Sequence, residues 1–528
     1  MANKNILLIE PGYKNKYPPL GLMKIAAYHG PYGKCDNVTF IKGETDQTVI
    51  DKNWDRIYVT TLFTFEWNAI SKSIDFALAI AHGNASKVFV GGIAASLMQD
   101  QFIAESRWRG VRFISGLLSD SPAKALQLDD YDEELYSDDV DGIPIEDLVP
   151  NYDILAQIKS QYVYPVNDAY FAYASRGCVR KCEFCGVPKL EGAQRDAQPI
   201  TAVVRAIDAR YGPRRDLMLL DNNIVASSNF KNIIAEIRDL GFVSGAKLLR
   251  PGRPPVQRRV DFNQGVDARI LAKDIMFLKE MSTICIKPLR IAFDHLGVRK
   301  PYEKAVRMAH DVGLNELSNY MLYNYHDTPA DLYLRMRLNI DLNEELGIRI
   351  FSFPMRYLPI NRKDRSHRGE NWSRYQLRSM QIILQATHGV VSGSPTFFKQ
   401  AFGETAEEYE NLLLRPYHFL FNRFWYEFFD GRAEFEEFNR IFLSLNKDER
   451  EELKHLISAS TPSAYAGLVG QATNAKVNRI LGFYVPLPDK EERNIWELMK
   501  ARKQSLATEE INIPEDERVE DAGLAESV

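Results

Sequence analysis

The sequence predicts an α/β protein: an N-terminal doubly wound parallel sheet, a partial or full (β/α) barrel, and a helical C-terminal region. Three observations carry that expectation. Between Asn5 and about Gly116, short β-branched runs alternate with helical patterns; between Tyr164 and about Ser394 the alternation returns on a longer scale; beyond Ala401 the pattern turns helical and aromatic.

In the first region the strand candidates are "NILLIEP", "NVTFIKG", "RIYVTTLFTF", "KVFVGG" and "VRFISG", separated by stretches such as "PLGLMKIAAYHG" and "WNAISKSIDFALAIAHG". Strand and helix in alternation imply parallel strands, whose ligands bind at the carboxyl ends. Residues 126–150 are acidic and poor in large aliphatics until Ile143, as a linker is. The next strand candidates are "AYFAYAS", "DLMLLDN", "RVDFNQGVD", "LRIAFDH", "NYMLYNY" and "IRIFSFPMRY". Six such units suit a barrel, in which polar groups at the carboxyl ends of strands are ligand groups. Beyond Ala401, "RPYHFLFNRFWYEFFDG" and "EEFNRIFLSLNKDEREELKHLI" have helical spacing, and from Glu509 eight acidic residues face the single Arg518. The expected division is 1–125 for the first domain, 126–163 for an acidic linker, 164–400 for the barrel, 401–508 for the helical domain and 509–528 for a disordered tail.

Composition narrows the classes of function. With 528 residues and 45% hydrophobic content the chain exceeds the usual size of one domain. Lys plus Arg number 66 against 71 Asp plus Glu, a net charge of -5, so nothing global draws the chain to nucleic acid or an anionic membrane. The apolar run in "MANKNILLIEPGY" is too short for a secretory signal or a membrane span, and the expected location is cytoplasmic, with no membrane partner. Five cysteines, an odd number in a reducing compartment, argue against a disulfide framework.

Three of those cysteines fall in "ASRGCVRKCEFCGVPKLEG", residues 174–192. Cys178, Cys182 and Cys185 are spaced C-x3-C-x2-C directly after the first barrel strand candidate, in a loop at the barrel's active face. Structural zinc asks for four protein ligands, and catalytic zinc favours His and carboxylate. Three thiolates suit a 4Fe-4S cluster instead, with one iron left open to an outside ligand. The alternative is a zinc knob completed by Cys35, Cys285 or His295.

At these residues the sequence resembles the radical SAM superfamily, whose hallmark is this loop with an aromatic residue before the last cysteine, here Phe184. The resemblance implies that Cys178, Cys182 and Cys185 hold a 4Fe-4S cluster, that S-adenosylmethionine chelates the open iron, and that Phe184 packs beside the adenine. It also implies cleavage of SAM to a 5'-deoxyadenosyl radical and a flavodoxin-like or other electron donor. Where the family has Gly-Gly-Glu after the second barrel strand, "LLDNN" stands instead, so Asp221, Asn222 and Asn223 are candidates there. Asp221 or Asn222 would take the methionine amino group; the alternative is a strand-end turn or cap. Other strand ends offer Asn263, Gln264, Asp267 and Arg269, then Arg290 and Asp294, then Tyr323, Asn324 and Asp327, and finally Arg356 and Tyr357. Arg290 and Asp294 are the candidates for the SAM carboxylate and ribose, with a buried Arg–Asp pair as the alternative, and Asn324 is a further cofactor-binding candidate. Cys285 reads as a small buried hydrophobe.

A Rossmann-like domain ahead of such a barrel resembles the cobalamin-binding radical SAM class, over roughly residues 5 to 400. "YPPLGLMKIAAY" and "VFVGGIAAS" look like that class too, with Gly91 and Gly92, and Ser115 and Gly116, placed for close backbone approach to a corrin. No D-x-H-x-x-G follows the first strand, and the first histidine is His29, so cobalamin is left open. The basic stretch "SGAKLLRPGRPPVQRR", residues 244–259, would meet an anionic partner or is a solvated loop, and the aromatic run at 419–429 would be helix-packing core or a base-stacking platform. Nucleic acid is the weaker reading of both. The function expected is a radical SAM enzyme that abstracts hydrogen from an unactivated carbon of a small-molecule or peptide substrate, with methyl transfer as an outcome if cobalamin is bound. The alternatives are a cobalamin-independent enzyme with the first domain as a lid, and a non-enzymatic iron-sulfur or zinc protein.

Overall fold

The computed structural model describes residues 3–44, 49–119 and 144–508. Residues 126–143 of the expected linker and all of the expected tail lie outside the described residues. Strands β1 (Asn5–Glu10), β2 (Asn37–Lys42), β3 (Arg56–Thr61), β4 (Val88–Gly92) and β5 (Arg112–Phe113) form one parallel sheet in the order β2-β1-β3-β4-β5. Each lies within one of the five expected runs. These runs are apolar throughout because both faces are covered: Ile6 and Leu8 pack with helix Leu20–His29, while Leu7 and Ile9 pack with helix Trp67–Ile80.

The next strand is β6 (Ala169–Ala172), followed by the two-residue strands β7 (Ser175–Arg176) and β8 (Arg195–Asp196), which pair antiparallel. Then come β9 (Asp216–Leu219), the antiparallel hairpin β10 (Lys247–Arg250) and β11 (Arg253–Gln257), and β12 (Arg259–Phe262). Strands β13 (Leu289–Arg290), β14 (Glu316–Tyr323) and β15 (Arg349–Arg356) complete the set. β6-β9-β12 and β13-β14-β15 are parallel sheets, and parallel bridges Val260–Ile286 and Val266–Ile291 join them. Six parallel strands therefore stand side by side in chain order; five lie inside expected runs, and β14 begins at Glu316, three residues before its expected run "NYMLYNY". Their residues alternate in direction. Asn319 bonds Tyr302 of helix Arg299–Asp311, whereas Ser318 and Tyr320 face the opposite, inner side with Arg290.

One apolar core runs from Ile6, Leu8, Tyr58 and Phe89 of the first sheet through Tyr152, Ile154 and Ile158 to β6 and β9. Residues 144–163, expected as linker, are thus nailed down by side chains whose burial contributes about 1.5–3 kcal/mol each. The C-terminal helices enclose a separate core around Phe419, Tyr426, Phe438, Val477 and Tyr484. Of the aromatic run, Phe419, Trp425 and Tyr426 are buried, while Phe421 and Phe428 face solvent. The basic stretch forms the exposed β10–β11 hairpin, with Arg250 bound to Asp168. Among the described residues no helix is long and apolar enough to cross a membrane.

Candidate active site

The cysteine loop begins where β6 ends and is fastened to the neighbouring strand end by Asp221. The Asp221 carboxylate accepts the Ala174 N–H at 3.0 Å, the Ser175 hydroxyl at 2.7 Å, and the Ser175 N–H. At 1% exposure, burial lifts this carboxyl to about 6, against those donors. The β7–β8 pairing closes the loop's base. There Gly177 has φ +73°, and a Cβ would lie 2.2 Å from the Ala193 carbonyl oxygen, so no other residue fits. The Glu191 carboxylate then gathers the loop: it accepts from Gly177 N at 2.9 Å and Asn222 Nδ2 at 3.0 Å, and pairs with Arg176 at 3.4 Å. Asn223 accepts from Asp267 N at 3.3 Å. All three residues of "DNN" thus bear on the site's framework.

The three thiols are half-buried. Cys185 N donates to Cys182 O at 3.1 Å, and Arg180 N to Cys178 Sγ at 3.3 Å. Burial pushes the Cys182 thiol up, the Asp294 carboxyl beside it pushes the same way, and Arg269 opposes. Burial also raises Cys185, with the Val187 N–H opposing and Cys182 and Cys178 adding to the rise. The sulfurs and Asp294 therefore share one electrostatic neighbourhood. Asp294 is raised to about 6 by burial, with Arg335 and Arg269 pulling it down. Beneath it, Asp267 accepts from Arg180 Nε at 2.6 Å and Arg269 Nε at 2.8 Å; these bonds overcome burial and hold its carboxyl below the usual range. That places two guanidinium groups beside the cysteine loop.

The other expected residues are distributed as follows. Phe184 meets Tyr325 edge to face at 5.7 Å, and the Tyr325 hydroxyl donates to Glu183 at 3.0 Å. Arg290 lies inside the strands, held by Asp261 through two bonds of 2.7 and 2.8 Å and donating to Ser318, while Asp294, four positions on, stands apart by the thiols. Asn324, fully buried with φ +68°, accepts from Gly369 N and donates to the Tyr357 and His367 carbonyls, tying β14 to the segment after β15. Gly92 has φ +102°, and a Cβ there would sit 2.5 Å from the Thr61 carbonyl oxygen. The Thr61 hydroxyl donates to Gly91 O at 2.9 Å and accepts from Ala95 N. The helix that follows, Ile93–Leu97, carries the first sheet to the cysteine loop, for a Cβ on Gly186 would be 3.1 Å from Leu97 Cδ1.

Cys35 is exposed beside Pro31 and Gly33, and Cys285 is buried under Phe242, pushed up to about 11 by burial. Neither accompanies the three loop thiols. Among the described residues no three or more His, Cys, Asp or Glu side chains are gathered to hold a single metal ion. The donor set, three thiols on one short loop, fits a 4Fe-4S cluster with one iron unclaimed by protein. Sequence reasoning missed Glu191 and Arg180; Arg180 was visible as one of two basic residues between the first two cysteines, whereas nothing local marked Glu191.

No protein-family model and no curated protein matches the chain. Among solved structures it is similar to the radical S-adenosylmethionine methyltransferase TsrM from Kitasatospora setae, with cobalamin and a [4Fe-4S] cluster bound. A radical SAM enzyme is thus among its structural neighbours. That alignment has 15% identity and a TM-score of 0.44, covering 68% of this chain and 77% of TsrM. SuiB from Streptococcus suis is similar in two structures. Bound to S-adenosylmethionine, it aligns with 12% identity and a TM-score of 0.30 over 55% of this chain and 57% of SuiB. Bound to the precursor peptide SuiA, it aligns with 14% identity and a TM-score of 0.28 over 44% and 48%. The chain spans about half the length of SuiB in these alignments.

Proposed function

We propose that the chain is a radical SAM enzyme, with a barrel at 164–400 that holds a 4Fe-4S cluster on Cys178, Cys182 and Cys185. The observation that carries this reading is the three-thiol loop at the carboxyl ends of parallel strands, with no fourth thiol beside it. Held there, such a cluster would offer its open iron to the methionine end of SAM and would supply the electron for releasing a 5'-deoxyadenosyl radical able to abstract hydrogen from an unactivated carbon. The chain's own residues bind, orient and exclude water. Asp294 supplies a carboxyl to the methionine ammonium or the ribose, and Arg269 a cation on the same side. The Phe184–Tyr325 ring pair offers the adenine an apolar wall. Asp221, Asn222 and Asn223 hold the loop rather than the ligand, because the Asp221 carboxylate, Asn222 Nδ2 and Asn223 Oδ1 are already engaged within the chain. The substrate is a small molecule or peptide, the electron donor flavodoxin-like, and the setting cytoplasmic.

In this reading the first domain, 1–125, joins the barrel through residues 126–163 and covers its mouth, with 401–508 a helical appendage and 509–528 a tail. The covering role is favoured by the closeness of Leu97 to Gly186. A corrin with a protein imidazole does not fit the first sheet. His29 is buried and bonded to Asp36 and Tyr58, away from the strand carboxyl ends, and Tyr13 and Phe63 pack together where the crevice would open. Cobalamin-dependent methyl transfer is the second reading, and retention of hydroxocobalamin after desalting, in near-stoichiometric amount, would promote it.

The test is anaerobic reconstitution followed by reduction with dithionite in the presence of SAM. About four irons per chain and release of 5'-deoxyadenosine are expected. One zinc and no iron would overturn the proposal.

A further inference from the structure

The loop after β1 reaches from the first sheet into the six-strand array. Lys16 O accepts from Val166 N at 3.1 Å, just before β6, and the Tyr17 hydroxyl donates to Asn263 Oδ1 at 2.5 Å, just after β12. Tyr17 also meets Phe171 of β6 edge to face at 6.3 Å. Lys16 is thereby held in the field of the Arg290–Asp261 pair on the inner face of the strands. Its ammonium stands 5.2 Å from the Tyr17 ring centroid and has no hydrogen bond or ion pair to any described residue.

The charges here do not cancel. Arg290 and Asp261 neutralise one another through two short bonds, so the positive charge of Lys16 is left without a counter-ion in a half-buried setting. Confining an ammonium in this way costs free energy that an opposite charge would offset. Burial, with Arg290 alongside, draws Lys16 down to about 8 against the pull of Asp261, in keeping with that cost. Around it the inner face is aromatic: Tyr17, Tyr320 of β14 and Phe353 of β15 are only partly buried, and Tyr320 and Phe353 face each other at 5.9 Å. An apolar wall beside one unmatched cation suits a ligand with a single anionic group on a flat apolar body.

We propose that Lys16 anchors a carboxylate of the substrate on the inner face of the strands, with the rings of Tyr17, Tyr320 and Phe353 against the substrate's apolar part. The inference rests on the barrel being the reaction chamber. It also gives the first sheet a task in that chamber, since the residue that meets the substrate hangs from β1.

The test uses the full chain and does not depend on turnover. Lysines are trace-labelled with acetic anhydride, and the extent at Lys16 is read by peptide mass spectrometry with millimolar benzoate, with benzamide, or with neither. Benzoate is expected to slow labelling of Lys16 several-fold, benzamide to leave it unchanged, and both to leave Lys14 unchanged. Equal protection by both would show an apolar pocket without an anion site, and protection by neither would show no pocket at all; either result overturns the proposal. Saturation-transfer NMR of benzoate, lost in Lys16→Gln and kept in Lys16→Arg, checks the same site. The labelling and the NMR need neither cluster nor SAM, and iron content and 5'-deoxyadenosine release are read on the parent chain, so failure of the cluster reading and failure of this one are distinguishable.

Discussion

The carboxyl ends of β1 to β4 are closed by the chain's own side chains, whereas those of the six-strand array gather thiols and uncancelled charge. At the first sheet, the carboxylate of Glu10 is 1% exposed and is met by Asn15 at 2.6 Å, Lys42 at 2.8 Å and the Tyr164 hydroxyl. Thr61 locks the Gly91–Gly92 turn, and the Tyr13 hydroxyl accepts from Leu62 N. Each of those groups has a partner, the buried Asn15 Oδ1 alone among their atoms being left without one. At the second array, Cys182 and Cys185 are held with raised thiols near a raised Asp294, and Lys16 has no counter-ion. Polar groups that satisfy one another stabilise a fold; groups kept costly in one place point to chemistry. The same strand-end position is thus riveted in one sheet and, in the proposed reading, is a reaction mouth in the other.

The largest expected effect tests that contrast among the cysteines. Cys182→Ala should abolish the visible iron-sulfur absorption and leave little bound iron, while Cys35→Ala and Cys285→Ala, outside the loop, should bind iron as the parent does. Iron analysis after anaerobic reconstitution reads all three. Equal loss in Cys285→Ala would move the cluster away from the loop.

Next in size is the cost of Asp221, whose carboxyl is raised to about 6 by burial from an ordinary value of 3.8. Below the ordinary value folded and unfolded chains are both protonated and the shift costs nothing. Between the two values the folded chain keeps a proton that the unfolded chain has lost, and above about 6 both are ionised and the full cost of the buried charge is present. Its contribution therefore destabilises as pH rises through that window, by about 3 kcal/mol in all. Asp221→Asn carries a constant loss of one accepted bond but lacks the pH-dependent part. Urea unfolding of both proteins at pH 4.5 and pH 7 (about two and a half units apart, covering most of the window) should show the variant gaining relative to the parent at the higher pH. A pH-independent difference would mean that burial does not raise the Asp221 carboxyl above its ordinary value.

Much of this was legible in the sequence, for reasons that differ by region. The eleven strands of the two parallel arrays were readable because runs such as "NILLIEP" are apolar on both faces and end in Gly or Pro. The cysteine loop was readable because its ligands are neighbours in the chain. Arg290 shows where such reading ends. It stands four residues before Asp294, and the sequence grouped the two, yet β13 is only two residues long and Arg290 turns inward to Asp261 on a strand about thirty residues earlier. Lys16 was illegible for the same reason, since its surroundings are made by Arg290 and Asp261, far along the chain. Composition marked 126–150 as acidic linker, but the isolated apolar residues just beyond, Tyr152, Ile154 and Ile158, fix the chain to the core.

A smaller effect is expected at Gly92, where the rivet role can be broken by itself. Its backbone lies where only glycine is comfortable, and a side chain would press on Thr61, so Gly92→Ala should cost roughly 2–3 kcal/mol. Urea unfolding should show that loss, with iron per folded chain unchanged. Iron lost in step with stability would make the first sheet part of the cluster site instead of its cover.

The smallest effect concerns the strap after β15 that leans on the first sheet. Lys363 pairs with Glu105 at 2.8 Å and stands 3.8 Å above the Trp67 ring, and Arg365 pairs with Glu66 at 3.2 Å. About a third of each of these side chains is exposed, so water and salt screen the pairs. A double-mutant cycle on Lys363→Ala and Glu105→Ala, followed by urea unfolding, should give a coupling of about 0.5 kcal/mol that vanishes in about 1 M salt. A pair this weak steers the strap without locking it, as the proposed passage of substrate between the first sheet and the six-strand array to Lys16 requires. A coupling above about 2 kcal/mol that persists in high salt would instead describe a fixed wall, and substrate would then have to enter from another side.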